Sequence, residues 1–259
     1  MQSLERLQHW PALSNDAFFN GAIHVLQPQK GYRAGIDAVL LAASLDITQH
    51  TSVQVLDVGA GVGVAGLAVA VRCKNAFVTM VEKQEVLVEI ARENVLRNQL
   101  QDRINVQGAD LLTPDAMHIL RQGLFDHVIS NPPYYDDHAI RHSANELKAA
   151  SNAMARGALE SWIKFMAMAT KPGGTATIVH LAERLGQILQ YFAAHFGCIA
   201  VQPLYSREGE KASRVLVRGI RASKAAMQIR PGIVLHTCEG AFQPDIERVL
   251  RHTALWSIW

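Results

Sequence analysis

The sequence predicts an α/β fold, a doubly wound and mostly parallel sheet with one reversed strand near its end. Three observations predict it. From residue 53 onward, short apolar runs rich in β-branched residues alternate with longer amphipathic segments. That is the pattern of strands covered on both faces by crossover helices. A glycine-rich turn joins the first of these strands to its helix, where a doubly wound sheet receives a ligand. Near the end, "IAVQPLY" and "SRVLVRGI" are joined by a short charged loop with no helix, so the two strands pair as an antiparallel hairpin.

The elements follow in order. Residues 1–15 read as a loose or helical lead-in. "AIHVLQPQKGYRAGIDAVLLAASL" reads as a strand, a Pro/Gly turn and an apolar helix. "VQVLDV" is a buried-type strand, and "GLAVAVRC" continues the helix behind the glycine turn. "AFVTMVE" is the second core strand, with the helix "QEVLVEIARENVLRNQ" after it. "INVQGAD" and "FDHVIS" are the third and fourth strands. A helix near 156–170, the turn "KPGG", the strand "TATIVH" and the helix "RLGQILQYFAAHF" lead to the hairpin. "GIVLHTCEG" reads as a further strand, and a helix is expected near 244–252.

Composition narrows the function. The chain has 259 residues, 49% hydrophobic and 19% charged, which suits a soluble globular protein with a sizeable core. A formal net charge of +2 means that any nucleic-acid surface must be local. Cys73, Cys198 and Cys238 stand far apart without metal spacing, which fits a reducing, cytoplasmic compartment. The start "MQSLERLQHWPALSNDAFF" lacks the apolar stretch of a signal peptide, and no apolar run is long enough to span a membrane.

Two motifs carry the chemistry. In "VQVLDVGAGVGVAGLAVA", Asp57, Gly59, Gly61 and Gly63 stand where the first core strand meets its helix. Glycines there allow a tight turn and let a nucleotide-type ligand approach the main chain. Gly61, Gly63 and Gly66 also satisfy the G-x-G-x-x-G dinucleotide pattern, so an NAD-binding Rossmann oxidoreductase is the alternative of another class. The D-x-G-x-G spacing resembles instead the first motif of class I S-adenosylmethionine (SAM) methyltransferases. Glu82 ends the second strand, where an acid accepts both ribose hydroxyls in either cofactor class. Asp110, after the third strand, is placed to meet the adenine amino group.

The second motif is "VISNPPYYDD". An exocyclic amine on a base is a poor nucleophile because its lone pair is delocalised. Accepting a hydrogen bond from each of its N–H groups aims the lone pair and stabilises the developing cation. Asn131 offers a side-chain carbonyl, and Pro132 offers a backbone carbonyl with no N–H. Pro133 restricts the conformation of Pro132 and so fixes the direction of that carbonyl. Tyr134 supplies a ring for stacking on a planar target.

With both motifs placed, the chain resembles a class I methyltransferase of the small domain group with an NPPY motif. It is most similar to bacterial tRNA1(Val) adenine-N6 methyltransferases. The resemblance runs over about residues 16 to 251 and includes "GYRAGIDAVLLAA", "SNPPYY", "KPGG", "SRVLVR" and "IVLHTCEGAF". It implies a seven-stranded, Rossmann-like sheet with the last strand antiparallel and a short N-terminal extension. It implies residues 1–50 as that extension with a SAM-lid segment, and 51–259 as the methyltransferase core. Tyr32, Gly35 and Asp37 match the segment that closes over the methionine part of SAM. The implied partner is RNA, a tRNA anticodon loop. NPPY turns also serve enzymes that methylate guanine N2 in rRNA or protein glutamine, and those remain alternatives. A non-catalytic SAM- or RNA-binding module is a third.

An RNA-facing rim is expected at the carboxyl ends of the strands: Arg207 and Lys211 in the hairpin loop, Arg214 behind it, and Lys30 and Arg33 opposite. Glu208 and Glu210 are positioned to balance those charges. His138 and His142 stand four apart without a third ligand and read as a solvated face. The tryptophans of "ALWSIW" are expected to pack on the core.

Overall fold

A computed structural model describes residues 10–30, 33–47, 52–111, 113, 116–121, 123–133, 135–136, 153–154, 157–253, 256 and 258–259. An N-terminal hairpin of β1 (Leu13–Phe18) and β2 (Ile23–Pro28) leads to α1 (Ile36–Ala43). The core units follow as β3 (Val53–Val58), α2 (Val64–Arg72), β4 (Ala76–Glu82), α3 (Glu85–Arg97), β5 (Ile104–Gly108), α4 (Met117–Arg121) and β6 (Phe125–Ser130). A short parallel pair, β7 (Tyr135–Asp136) and β8 (Ala153–Met154), stands apart from the main sheet. Then come α5 (Ala158–Ala169), β9 (Thr170–Leu181), α6 (Leu185–Ala193), β10 (Phe196–Tyr205) and β11 (Ala212–Arg221). Two short strands, β12 (Gln228–Ile229) and β13 (Ile233–Val234), precede α7 (Pro244–Arg251).

The main sheet runs β10-β11-β9-β6-β3-β4-β5, and both β12 and β13 add to the outer edge of β10. β11 is antiparallel to both neighbours, and the other pairings are parallel. The expected reversed strand is therefore β11, inserted between β9 and β10. Strand order reverses direction of growth at β3, with β4 on one side and β6 on the other, and the carboxyl ends there frame the site.

Two apolar layers sandwich the sheet. One contains Val55, Leu67, Met80, Ile90 and Leu41, contributed by β3, α2, β4, α3 and α1. The other contains Leu56, Val128, Ile163, Met166, Ile188 and Phe192, from β3, β6, α5 and α6. The side-chain alternation of a strand sends Val55 and Leu56 to opposite layers.

Part of the lead-in differs from expectation: residues 13–15, expected to be loose or helical, open a strand that runs to Phe18, while residues 1–9 lie outside the described residues. "LSNDAF" has little apolar alternation, so β1 exists because β2 offers it a ladder running from Leu13↔Pro28 to Phe18↔Ile23. The other edge of β2 is closed by side chains. Asn94 in the last turn of α3 and Asn98, which caps its end, bond the main chain of Leu26 and His24 through both amide atoms. The two amides thus substitute for a strand and dock the hairpin on the core.

"KPGG" lies inside β9 rather than before it, as an outward loop in the ladder. The register jumps from Phe125↔Thr170 to His127↔Thr175, so the loop residues have no ladder partners on β6, although Lys171 Nζ pairs with Asp126 at 2.8 Å. The C-terminal segment packs as expected. Trp259 Nε1 donates to the Ser44 carbonyl at 2.5 Å, Trp256 N donates to the Ala43 carbonyl, and Arg218 lies 4.6 Å above the Trp259 ring.

Candidate active site

The glycine turn begins where β3 stops. Gly59 and Ala60 both donate their N–H to the Val81 carbonyl at 2.9 Å, which bends the chain away from the ladder. Gly59 has φ +72° and Gly63 has φ +93°, left-handed values that a side chain disfavours. Gly66 is glycine for packing: an added Cβ would press on the Met80 side chain and on Asp57 Oδ2. The G-x-G-x-x-G match therefore has a structural cause in its third glycine.

Asp57 is buried at the end of β3, and its Oδ2 accepts the Gly66 N–H at 2.9 Å. Burial pushes its carboxyl up from 3.8 to about 7, helped by the neighbouring Glu82 charge and opposed by the Gly66 bond. Glu82 is also buried. Its Oε1 accepts the N–H groups of Lys83 and Gln84 at 2.9 Å, and its Oε2 accepts that of Gly61 at 3.0 Å. Burial raises its pKa, and those three bonds pull it back. Glu82 thus pins the middle of the glycine turn to the end of β4.

Asn131 and Pro132 leave the end of β6 beside this turn. Ser130, fully buried, donates its hydroxyl to the Val58 carbonyl at 2.8 Å and accepts the indole N–H of Trp162 at 2.8 Å. Asn131 lines the same cleft as Asp57, Gly59 and Gly61. The cleft spans about 590 Å³, part of it open solvent. Pro28, Lys30, Ala34 and Ala38 close one side, and Gln84 and Leu87 from the start of α3 close another.

The N-terminal segment is held over the cleft by a set of polar bonds, part-buried at Gln27 and exposed at Arg33. Gln27 accepts the Ala34 N–H at 2.9 Å through Oε1, and its Nε2 donates to Asp16 Oδ2 at 2.7 Å. Arg33 pairs with the same Asp16 oxygen at 2.5 Å and donates to Ser14 Oγ. Asn94, fully buried, ties Leu26 of β2 to the Val62 carbonyl of the glycine turn at 3.0 Å. The hairpin and the turn therefore form one hydrogen-bonded unit around the cleft.

Asp57, Gly59, Gly61 and Asn131 are brought together as cleft walls. Gly63 caps the start of α2, and Glu82 holds the Gly61 N–H of the turn. Asp110 stands after β5, its carbonyl accepting the Thr113 N–H and hydroxyl. Gly35 precedes α1, and Asp37 in its first turn pairs with Arg214 Nε at 3.1 Å. Tyr32 and Tyr134 lie outside the described residues, as do His138 and His142. On the expected rim, Arg214 is committed to Asp37, Arg33 to Asp16, and Arg207 faces Glu210 at 3.7 Å. Lys30, expected on that rim, lines the cleft.

The sequence reading missed Gln84, Leu87, Asn94 and Trp162. Gln84 and Leu87 follow the Glu82 motif closely enough that adjacency was a usable signal. A buried helical Asn and a Trp on an amphipathic helix carry no such signal, since their partners are about 30 to 70 positions away in sequence.

The methyltransferase small domain matches residues 34–184, more than half of the chain. A tRNA1(Val) (adenine(37)-N6)-methyltransferase of Phocaeicola vulgatus is 39% identical over 105 residues, which is 40% of this chain and 42% of that relative. One of the same name from Shewanella baltica is 28% identical over 91% of this chain and 97% of its own length. Among solved structures, an Agrobacterium tumefaciens protein described as a predicted O-methyltransferase has a TM-score of 0.69 at 28% identity, covering 85% of this chain and 98% of that one. The Thermus thermophilus 16S rRNA N2 G1207 methyltransferase, solved with AdoMet and guanosine, has a TM-score of 0.53 at 19% identity, covering 81% of this chain and 48% of that one, a likeness of fold. The glycine turn, the acid closing β4 and the NPP turn after β6 all fall within residues 34–184, and the chain belongs to the methyltransferase small domain family of SAM-dependent enzymes.

Proposed function

We propose that the cleft binds SAM and that the protein methylates an exocyclic base amine, adenine N6 in a tRNA anticodon loop. The observation that carries this reading is the position of Asn131: an acceptor-bearing turn opens into the same cleft as the glycine turn. The donor set suits the cofactor. Among the described residues of the cleft, Lys30 and Asp57 are the ionisable side chains, and they are of opposite sign. The amino-acid end of SAM is a zwitterion. Asp57, held near neutral pKa by burial, would take its ammonium, and Lys30 its carboxylate. Glu82 would take the ribose hydroxyls and Asp110 the adenine amine, while Gly59, Gly61 and Gly63 allow the main chain to approach. Tyr32, Gly35 and Asp37 belong to the segment that would close over the methionine part.

When bound, SAM supplies an electrophilic methyl group. The side-chain carbonyl of Asn131 and the backbone carbonyl of Pro132 each accept one N–H of the target amine. Both bonds strengthen as the nitrogen becomes cationic, so they favour the transition state over the ground state. Tyr134 stacks on the base, at roughly 1–3 kcal/mol. A hydroxyl has one hydrogen to give and would leave one acceptor unused, so the paired acceptors favour an amine, despite the O-methyltransferase description of the Agrobacterium structure.

The name shared by the relatives supports adenine N6 of a tRNA as the target. An unpaired loop base is cheap to expose, which favours a tRNA loop over duplex RNA. Arg207 and Lys211 at the exposed hairpin loop would meet its phosphates, with Arg207 released from Glu210. The test is calorimetric titration with SAM followed by mass spectrometry of nucleosides from tRNA incubated with the enzyme. N6-methyladenosine is expected, and Asn131→Ala should abolish it with SAM affinity intact. SAM binding without tRNA methylation would move the substrate to rRNA guanine or protein glutamine.

A further inference from the structure

We propose that Trp162 is a positioning residue that sets the spacing between the glycine turn and the NPP turn, acting through Ser130. The inference rests on the methyltransferase reading of those two turns. Val58 and Ser130 are register partners and the last residues of their strands. Beyond them the ladder ends, and Gly59 and Asn131 begin the two turns. The β3–β6 ladder therefore supplies nothing further to hold the turns apart at a fixed distance.

The side chains at this point supply what the ladder does not. An indole N–H can only donate, so Ser130 Oγ must accept it at 2.8 Å. The serine proton is then directed to the Val58 carbonyl, also at 2.8 Å. This fixes the polarity of the chain from Trp162 to Ser130 to Val58. Ser130 is fully buried, so water does not replace either bond. The indole ring also presses on the first residue of the glycine turn: a Cβ added at Gly59 would lie 2.5 Å from Cζ2 and 2.9 Å from Cη2. One side chain thus touches the start of one turn and orients the residue before the other.

Trp162 packs with the layer of α5 and α6, while the cleft residues Val62, Val64 and Ala65 belong to the opposite layer. It does not line the cleft. Its effect on the reaction is therefore indirect, through the separation of methyl donor and acceptor. Misplacement by 1 Å costs about a hundredfold in rate.

Trp162→Phe keeps an aromatic ring and removes the donor, and Ser130→Ala removes the relay. Each should lower kcat about ten- to a hundredfold, with SAM Kd held within about twofold. The double variant should be no worse than the weaker single, because both cut one chain. A purely structural role would lower the melting temperature and leave the kcat of the folded variants unchanged. Trp162→Phe with kcat within about twofold of wild type, or multiplied losses in the double variant, would overturn the proposal. Should the wild type bind SAM yet methylate no RNA, the substrate reading fails on its own. The proposal is then judged from crystal structures of wild type and Trp162→Phe with S-adenosylhomocysteine. A changed Gly59–Asn131 separation supports it, and an unchanged one refutes it.

Discussion

Replacing Asp57 by Asn should remove the pH dependence of SAM binding below neutrality. Asp57 is fully buried, keeps one backbone bond to Gly66, and has its carboxyl pushed up from 3.8 to about 7. In the free protein it is therefore largely protonated at pH 5 and half ionised at pH 7. If the ammonium of SAM requires the carboxylate, affinity should rise about fiftyfold between pH 5 and pH 7, about 2.3 kcal/mol. The rise should level off near pH 8, where an α-amino group itself begins to lose its proton. Asn keeps an acceptor for Gly66 and loses the charge, so its profile should be flat over the same interval. Calorimetry in two buffers of different ionisation enthalpy reads both the affinity and the proton released on binding. Stability must move the opposite way in the free protein. A carboxyl with a raised folded pKa holds its proton longer than the unfolded chain does. Its contribution is therefore complete below pH 3.8 and lost as pH rises through about 7, at roughly 1.4 kcal/mol per pH unit within that window. The melting temperature of the free wild type should fall over that range more than that of Asp57→Asn. Glu82 is the charged neighbour whose titration competes, and Glu82→Gln separates the two. A flat wild-type affinity profile, or an Asp57→Asn profile as steep as wild type, would refute the assignment of Asp57 to the ammonium.

Three further outcomes are expected. Glu82→Ala should weaken SAM at least about tenfold through lost charge-assisted bonds, and it should also lower thermal stability, since Glu82 accepts three backbone N–H groups of the turn; unchanged SAM affinity in a folded variant would exclude the ribose role. Lys30→Met should weaken SAM while leaving decarboxylated SAM unaffected, and equal losses for both ligands in calorimetry would remove Lys30 from the carboxylate. Asn94→Ala should destabilise the protein by about 2–4 kcal/mol in urea unfolding, because it orphans buried main-chain groups of Leu26 and Val62; a loss below about 0.5 kcal/mol would show that the hairpin docks without it.

The sequence by itself determined the core strands β3, β4, β5, β6, β9, β10 and β11, the helices α2, α3, α5, α6 and α7, the reversed strand and the two turns of the site, all of them local properties; it carried no sign of α4, β7, β8 or β12. β4 and β6 fall on "AFVTMVE" and "FDHVIS" because apolar runs bounded by turns state their own limits. Asp57, Gly59, Gly61 and Asn131 were legible because short-range spacing places them at strand ends, and strand ends of a parallel sheet meet. The tertiary structure alone decided what depends on contacts between distant residues. β1 is polar and becomes a strand only beside β2, which in turn needs the Asn94 and Asn98 amides along its other edge. Arg214 and Arg33 look like free cations in the sequence, and folding commits them to Asp37 and Asp16. Lys30 moves from an expected RNA rim to the wall of the cleft because the hairpin folds over the glycine turn. Trp162 reads as one more apolar residue of α5 until Ser130 and Gly59 are brought against it. A hydrogen bond or close contact between residues far apart in the chain leaves no periodic trace, and the packed sheet is what makes those partners neighbours.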